Sequence, residues 1–218
     1  MAIKAVLFDL DGVLIDSEPI WERIRRAFAE QRGGSWAPAM QSRMMGARTV
    51  EWSAALSELA GGTVAPESAA EAVIAELSDA YLRDPPVIAG AGEAVRALAR
   101  DFTLGLVSGS PPVLIELVLR ILEVTDCFAV TMSADDVARG KPEPDPYLEL
   151  ARRLGQEPSV CAAVEDSANG IRSAHAAGTH VVAIPRGEHR PDQHVLALAD
   201  AVLDNIRELT PGRVKKLG

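Results

Sequence analysis

Close to the N-terminus, a short apolar run ends in two aspartates one residue apart, and this feature constrains the fold most. Residues 5–8 are apolar and are followed by Asp9, Leu10, Asp11 and Gly12. Such a run, bounded by a glycine turn, is typical of a buried strand in a parallel sheet. Residues two apart in an extended chain point to the same side, so we expect Asp9 and Asp11 to face one space. Two carboxylates in one space repel each other, which favours a cation between them. The plainer alternative is an acidic β-turn.

Beyond residue 86 the pattern changes to alternating strands and helices. Strands are predicted at 103–107, 128–131, 160–164, 181–184 and 201–203, and helices at 92–100, 113–122, 145–155 and 168–177. This alternation predicts an α/β fold in which a parallel sheet carries helices on both faces. Ser110, which precedes Pro111, is expected to cap the second of these helices.

The stretch from residue 17 to residue 86 contains no convincing strand and predicts four helices. The first ends near residue 32, the second is short and lies near residue 40, and the others cover 49–60 and 66–82. A helical insert of this length predicts a small domain of its own. We therefore expect a core of residues 1–16 and 87–218, and a helical cap of residues 17–86.

The first helix of this insert shows a clear division into two faces. Ser17 and Pro19 are typical of a helix start, and Trp21 and Phe28 belong to an apolar stripe at helical spacing. The polar residues are expected on the opposite, exposed face: Arg23, Arg25, Arg26 and Glu30.

Polar side chains follow several of the predicted strands directly. Ser108 ends one strand, Lys141 lies in the loop after the next, and Glu165 and Asp166 end another. In an open parallel sheet, ligands bind outside the carboxyl ends of the strands. We therefore expect these residues to meet Asp9 and Asp11 at one edge of the sheet.

The types of residue in this set favour the chemistry of phosphate. Asp9 is suited to nucleophilic attack, and Asp11, facing the same space, is suited to proton transfer. The further acids require a hard divalent cation, most naturally Mg²⁺, held by Asp9 and Asp166. Ser108, the start of the following helix and Lys141 offer donors and positive charge to an anionic substrate.

Each of these residues also has a purely structural interpretation. Ser108 is compatible with an ordinary turn, and Lys141 with a solvated loop. Glu165 and Asp166 are also favoured as acids at the N-terminus of the next helix. All of these interpretations would have to hold at four separate strand ends, which makes a shared site the better hypothesis.

Composition excludes several classes of protein. The chain has 218 residues and a formal net charge of −9, which argues against nucleic acid as a partner. No apolar run is long enough for a transmembrane helix, and no signal region precedes the first strand, so we expect a cytoplasmic monomer without a membrane partner. Two cysteines are too few for a disulfide scaffold or a zinc cluster, and the four histidines show no ligand spacing.

Four segments together resemble the motifs of the haloacid dehalogenase (HAD) superfamily. They are FDLDGV at 8–13, VS at 107–108, GKPEPD at 140–145 and VEDSANG at 164–170. Within that superfamily, DGVLIDSE at 11–18 and the helical insert resemble the subgroup of sugar-phosphate phosphatases and β-phosphoglucomutases.

This resemblance implies a Rossmann-like core, a four-helix cap, Mg²⁺ and a phospho-aspartyl intermediate on Asp9. The implied metal ligands are Asp9, the backbone carbonyl of Asp11, Glu165 and Asp166. The implied phosphate contacts are Ser108, Gly109 and Lys141.

Within the family, the sequence favours a phosphatase of small phosphate monoesters. The second aspartate, Asp11, favours phosphoryl transfer over dehalogenation. A β-phosphoglucomutase-type mutase is the alternative, but Trp21 stands where such mutases carry a cap histidine. A non-catalytic protein with the same fold is a third possibility, against which the complete set of motifs argues.

Two residues of the cap are candidate substrate contacts. Trp21 either stacks on a sugar or packs in the cap core. Arg48 either contacts a hydroxyl or a distal anion of the substrate, or is solvated.

Overall fold

The sheet predicted from the alternating pattern is present as six parallel strands in a computed structural model that describes residues 2–187 and 190–218. His189, one of the four histidines considered above, lies outside the described residues. The strands are β1 (Ala5–Phe8), β2 (Thr103–Ser108), β3 (Phe128–Ser133), β4 (Cys161–Glu165), β5 (His180–Ala183) and β6 (Ala201–Val202). Their order across the sheet is β3-β2-β1-β4-β5-β6. The predicted α/β, Rossmann-like class is confirmed.

Ten α-helices are found in the described residues. They are α1 (Glu18–Glu30), α2 (Pro38–Met44), α3 (Thr49–Leu59), α4 (Pro66–Arg83), α5 (Ala91–Leu98), α6 (Pro112–Ile121), α7 (Asp145–Arg153), α8 (Ala168–Ala176), α9 (Gln193–Leu196) and α10 (Pro211–Val214). Every helix and strand expected from the sequence is present, with ends within about two residues of the expected ones. The two short helices α9 and α10 were not expected, because four residues are too few to show a helical period.

Alternate residues of β1 pack on opposite faces of the sheet. Leu7 belongs to a buried cluster with Tyr147 of α7 and Ile171 of α8. Phe8 belongs to the other cluster, which includes Ile115 of α6. Burying an apolar side chain of this size stabilises the fold by about 1.5–3 kcal/mol. A strand buried on both faces needs a continuous apolar run, and this is why the prediction from residues 5–8 succeeded.

The helices α1–α4 form a block whose buried apolar residues belong to the same cluster as Phe8 of the sheet. Trp52 and Leu56 of α3 pack there with Trp21 of α1 and Leu77 of α4, all buried. The chain crosses between this block and the sheet through two segments that lie side by side. Within them, the amide of Asp16 donates to the carbonyl of Pro86 at 2.7 Å, and that of Ile88 donates to Leu14 at 3.1 Å.

Candidate active site

The order of the strands places the two acidic turns next to each other. β1 is the point at which the chain direction across the sheet reverses, because β2 lies on one side of it and β4 on the other. Phe8 is paired with Val164, and the amide of Asp9 donates to the carbonyl of Val164 at 3.0 Å. Asp9 is therefore adjacent to Glu165 and Asp166, at the kind of switch point where α/β sheets bind ligands.

Gly12 permits the close approach of these two turns. Its φ is +78°, and a Cβ at this position would lie 1.9 Å from a carboxylate oxygen of Asp166. Any other L-residue would meet both the left-handed backbone and this carboxylate. Gly12, which indicated a turn in the sequence, is thus required by the close contact between the turns that follow β1 and β4.

Lys141 joins the two acidic turns. Its Nζ lies 2.9 Å from Oδ1 of Asp9 and 2.6 Å from Oε1 of Glu165, and its side chain is 4% exposed. Burial disfavours the charge on Lys141, but Asp9 and Glu165 outweigh this effect and raise its pKa. The Tyr147 hydroxyl donates to the same Glu165 oxygen at 2.7 Å. Lys141 is therefore a fixed positive charge beside Asp9.

Three carboxylates form a cluster that could hold a metal ion. Oxygens of Asp9, Glu165 and Asp166 lie within 4.8 Å of one another. Burial, with Glu165 and Asp11 nearby, raises the pKa of Asp9 to about 8 despite Lys141. Burial and the other two acids also raise the pKa of Asp166 well above its usual range. Three ionised carboxylates and one ammonium group leave two negative charges, which one divalent cation with oxygen ligands would balance.

The Asp11 carboxylate is held by three serine hydroxyls. Ser108 and Ser110 donate to its Oδ2 at 2.9 and 2.8 Å, and Ser17 donates to Oδ1. Hydrogen bonds to a charged acceptor are about twice as strong as neutral ones. This explains why the expected capping role of Ser110 was wrong. Pro111 is the cap residue of α6, and the Ser110 hydroxyl binds the carboxylate instead. Likewise Ser17 precedes α1 without capping it through its side chain.

Most of the site residues predicted from the sequence share one cleft of about 270 Å³ between the sheet and the helical block. Those on its wall are Asp9, Asp11, Trp21, Gly109, Lys141 and Asp166. Ser108 and Glu165 are fully buried behind this wall, where Ser108 holds Asp11 and Glu165 holds Lys141. The direct contacts with phosphate and metal predicted for these two residues stay predictions.

Arg48 lies at the start of α3 and outside the set of residues that line this cleft in the described part of the chain. Its guanidinium donates to Glu51 at 2.8 and 3.1 Å and to the carbonyl of Val137, in the loop after β3, at 3.2 Å. The amide of Thr49 also donates to Asp135 in that loop at 2.8 Å. These contacts join the helical block to the core, and the predicted contact of Arg48 with substrate stays a prediction.

Trp21 packs in the interior of the helical block, which is one of the two alternatives considered for it. It is 4% exposed and packs edge-on against Trp52, with ring centroids 5.6 Å apart. At the same time it is one of the residues that line the cleft. It therefore contributes to the interior of the helical block and to the wall of the cleft, and its predicted contact with a sugar stays a prediction.

The sequence-based prediction missed Glu18 and Arg25, which line the cleft from α1. Arg25 was expected on the exposed face, and this was wrong, since it is only 4% exposed. The sequence contained a signal for this burial, because Arg25 lies four residues after Trp21 and three before Phe28 and therefore shares their face of the helix. Glu18 accepts a hydrogen bond from Gln41 at 2.6 Å. Burial, with Asp11 nearby, raises the pKa of Glu18 to about 7.

Comparison with known proteins identifies a matching family and several relatives of this chain. A family model described as haloacid dehalogenase-like hydrolase matches residues 3–178. Hexitol phosphatase B from Escherichia coli (strain K12) is 33% identical over 214 residues, which are 95% of this chain and 95% of that protein.

Two solved structures show the same fold. CbbY from Rhodobacter sphaeroides in complex with phosphate is 24% identical, with a TM-score of 0.83 over 98% of this chain and 99% of that chain. A β-phosphoglucomutase from Clostridium difficile is 21% identical, with a TM-score of 0.80 over 99% of this chain and 96% of that chain. The chain belongs to the haloacid dehalogenase-like hydrolases and is a phosphoric monoester hydrolase of that family.

Proposed function

We propose that this phosphatase hydrolyses a small sugar or polyol phosphate with Mg²⁺ as cofactor and a phospho-aspartyl intermediate on Asp9. The observation that carries the proposal is the position of Lys141, which contacts Asp9 and Glu165 at one end of a cleft that Asp11 also lines. A carboxylate nucleophile, a second carboxylate for proton transfer and a fixed cation are the groups that this reaction requires.

The acids of the cleft fit a magnesium ion. Asp9, Asp166, Glu165 and the backbone carbonyl of Asp11 would hold it, and hard oxygen ligands of this type suit Mg²⁺. The Glu165 oxygens already accept hydrogen bonds from Lys141, Tyr147, Ser167 and the amide of Asp166. We therefore expect Asp9 and Asp166 to contribute most of the coordination. When bound, the ion would neutralise negative charge on the acids and on the phosphoryl group.

In the first half of the reaction, one oxygen of Asp9 bonds to phosphorus while the bond from phosphorus to the leaving-group oxygen breaks. Asp11 carries a proton at this stage and transfers it to that oxygen, so the leaving group departs as a neutral alcohol. Lys141 balances part of the charge on Asp9 and on the phosphoryl oxygens. Gly109 and Ser110 line the same cleft as Asp11, and in this proposal they would border the phosphate.

In the second half, the ionised Asp11 accepts a proton from water while the water oxygen bonds to phosphorus. The bond between phosphorus and Asp9 breaks, inorganic phosphate is released, and both carboxylates return to their starting states. The three serine contacts hold the Asp11 carboxylate at the cleft wall through both steps.

We also propose that residues 17–86 act as a cap over a core of residues 1–16 and 87–218. The two connecting segments are hydrogen-bonded side by side at Asp16 and Pro86, which suits a hinge. Gly46 of the helical block lies against the loop after β2, since a Cβ on Gly109 would be 3.1 Å from the Gly46 carbonyl oxygen. A cap in this position would exclude water and contact the leaving group.

A phosphate-release assay over a panel of phosphorylated polyols and sugars, with Mg²⁺ present, tests the proposal. We expect turnover that EDTA abolishes and Mg²⁺ restores. Asp9→Asn should lower kcat by at least about a thousandfold, because the nucleophile is lost. Asp126→Asn, an exposed site away from the cleft, serves as the matched control.

Two results would contradict the proposal. One is full turnover by Asp9→Asn or in the presence of EDTA. The other is conversion of β-glucose 1-phosphate to glucose 6-phosphate faster than phosphate appears. The latter result would establish the mutase alternative, which one of the structural neighbours represents by name.

A further inference from the structure

Arg25 is a buried cation in the wall of the cleft. Its guanidinium carbon lies 4.1 Å from the ring centroid of Trp21 and 5.0 Å from that of Trp52. The residue is 4% exposed and nevertheless belongs to the cleft lining. The faces of the two indole rings stabilise the positive charge and fix the plane in which the donors lie.

Most of the hydrogen-bonding capacity of Arg25 is unused. Its Nε has no partner among the described residues, and its Nη1 makes one long contact, 3.5 Å, with the carbonyl of Met44. No carboxylate of the described chain lies within 4.0 Å of it. A buried, unpaired donor costs about 1–3 kcal/mol, and more when it is charged. Such a group is stable in the fold if a ligand satisfies it.

Arg25 remains charged in this environment. Burial lowers its pKa to about 10, and Glu18 and Asp11 limit the decrease. At neutral pH it is therefore a donor of charged hydrogen bonds to whatever enters this part of the cleft.

Glu18 supplies the complementary acceptor on the same face of α1. It lies seven residues before Arg25, which is two helical turns, and it also lines the cleft. The two side chains form no ion pair within 4.0 Å in the described structure. A hydroxyl group can accept a hydrogen bond from a guanidinium and donate one to a carboxylate.

We propose that Arg25 and Glu18 form a subsite for the hydroxyl groups of an uncharged, polyhydroxylated leaving group. The inference rests on the proposed function and specifies the part of the substrate that does not react. Arg25 contributes one positive charge and Glu18, when ionised, one negative charge, and Asp11 and Arg190, which line the same cleft, add one charge of each sign. This balance disfavours a leaving group with a second phosphate or a carboxylate and suits a neutral polyol.

The experiment measures kcat/KM for a hexitol phosphate and for p-nitrophenyl phosphate, which lacks hydroxyls on its leaving group. The ratio of interest is kcat/KM for the hexitol phosphate divided by kcat/KM for p-nitrophenyl phosphate. For Arg25→Met, we expect this ratio to fall by about 10- to 100-fold, because hydrogen bonds to a charged group are lost. Arg25→Lys keeps the charge but not the planar fork, so it should recover part of the ratio. Arg23→Met, an exposed site on the same helix, should retain the wild-type ratio.

Several outcomes would overturn the inference. An equal loss on both substrates would assign Arg25 a purely structural role in the helical block. A selective loss of activity on sugar bisphosphates would assign it to a second anion. If the variant is active and its ratio is unchanged, the subsite assignment is wrong and the proposed function stands. If the wild type releases no phosphate, the proposed function is wrong as well.

A second measurement needs no variant and covers the case in which Arg25→Met does not fold. The wild-type enzyme is assayed with a hexitol phosphate and with n-hexyl phosphate, which has the same carbon chain without the hydroxyls. We expect the hexitol phosphate to be preferred by at least about tenfold, because the buried donors stay unpaired with the alkyl substrate. Equal kcat/KM values would contradict the inference.

Discussion

The two walls of the cleft both carry buried charges, but they differ in how fully those charges are paired. On the sheet side, Glu165 accepts four hydrogen bonds and Asp11 accepts three. On the helical side, Arg25 has one long contact and an unpartnered Nε within the described structure. A fully paired network holds its members rigidly, whereas an unsatisfied donor gains most from binding a ligand. Apart from the Asp166 carboxylate, which has no hydrogen-bond or ion-pair partner in the described structure, the sheet side is already paired, as the proposed reaction site would require. The unpaired donor of the helical side fits the proposed role of binding the rest of the substrate.

The largest effect that would test this comparison is expected for Lys141→Met. The substitution leaves Asp9 and Glu165 without their shared cation, so we expect kcat to fall at least about a hundredfold. Removing one partner of a buried pair costs about 3–5 kcal/mol, reduced here because Asp9 can take up a proton. Kinetic assays and thermal unfolding measure the two losses.

The matched control is Lys4→Met, which replaces an exposed lysine just before β1. A loss of kcat below about threefold would show that the sheet side does not depend on this cation.

An intermediate effect is expected in the pH dependence of stabilisation by Mg²⁺. In the metal-free protein, the pKa of Asp9 is raised from 3.8 to about 8. Between these values the folded state holds a proton that the unfolded chain has released, so the free energy of unfolding falls as the pH rises. A cation at this site displaces the proton, and its affinity should rise over the same window.

We therefore expect Mg²⁺ to raise Tm more at pH about 8 than at pH about 5, measured at constant ionic strength. Equal increases would mean that the ion binds elsewhere or that Asp9 is already ionised. Either outcome would count against the proposed cation site on the sheet side, and with it the contrast to the helical side, where Arg25 provides the positive charge.

The smallest effect is expected for Arg48→Met, which compares the two arginines of the helical block. Arg48 forms a partly exposed pair with Glu51 and a contact with Val137, so its loss should cost about 1 kcal/mol of stability or less. We expect kcat/KM for a hexitol phosphate to change by less than about threefold, well below the change for Arg25→Met. A loss as large as that of Arg25→Met would restore Arg48 as a substrate contact and would contradict the assignment of the subsite to Arg25.

The sheet and its helices could be predicted because their patterns are local. The run at residues 5–8 is apolar throughout since both of its sides are buried, and the alternation of strands with helices leaves few possible topologies. The convergence of Asp9, Lys141 and Asp166 followed from the rule that parallel strands present their carboxyl ends at one edge. No helix among residues 2–187 and 190–218 combines the length and apolarity needed to cross a membrane.

The roles of individual polar side chains were harder to predict. Ser17 and Ser110 both match the pattern of a helix start, yet their hydroxyls bind Asp11. A capping position and a contact with a distant carboxylate require the same small hydroxyl residue, so the sequence does not distinguish them. The choice depends on which acceptor the fold brings closer.

By itself, the sequence determined the parallel sheet, the helical insert and the set of acids and the lysine that meet at one edge of the sheet. Each of these depends on periodicity or on a strand end, which are properties of the chain along its length. Only the tertiary structure decided that Arg25 packs against the rings of Trp21 and Trp52 and lines the cleft. The inward orientation of that position arises because helix packing buries a whole face of α1, and a guanidinium can be buried there once two aromatic rings stabilise its charge.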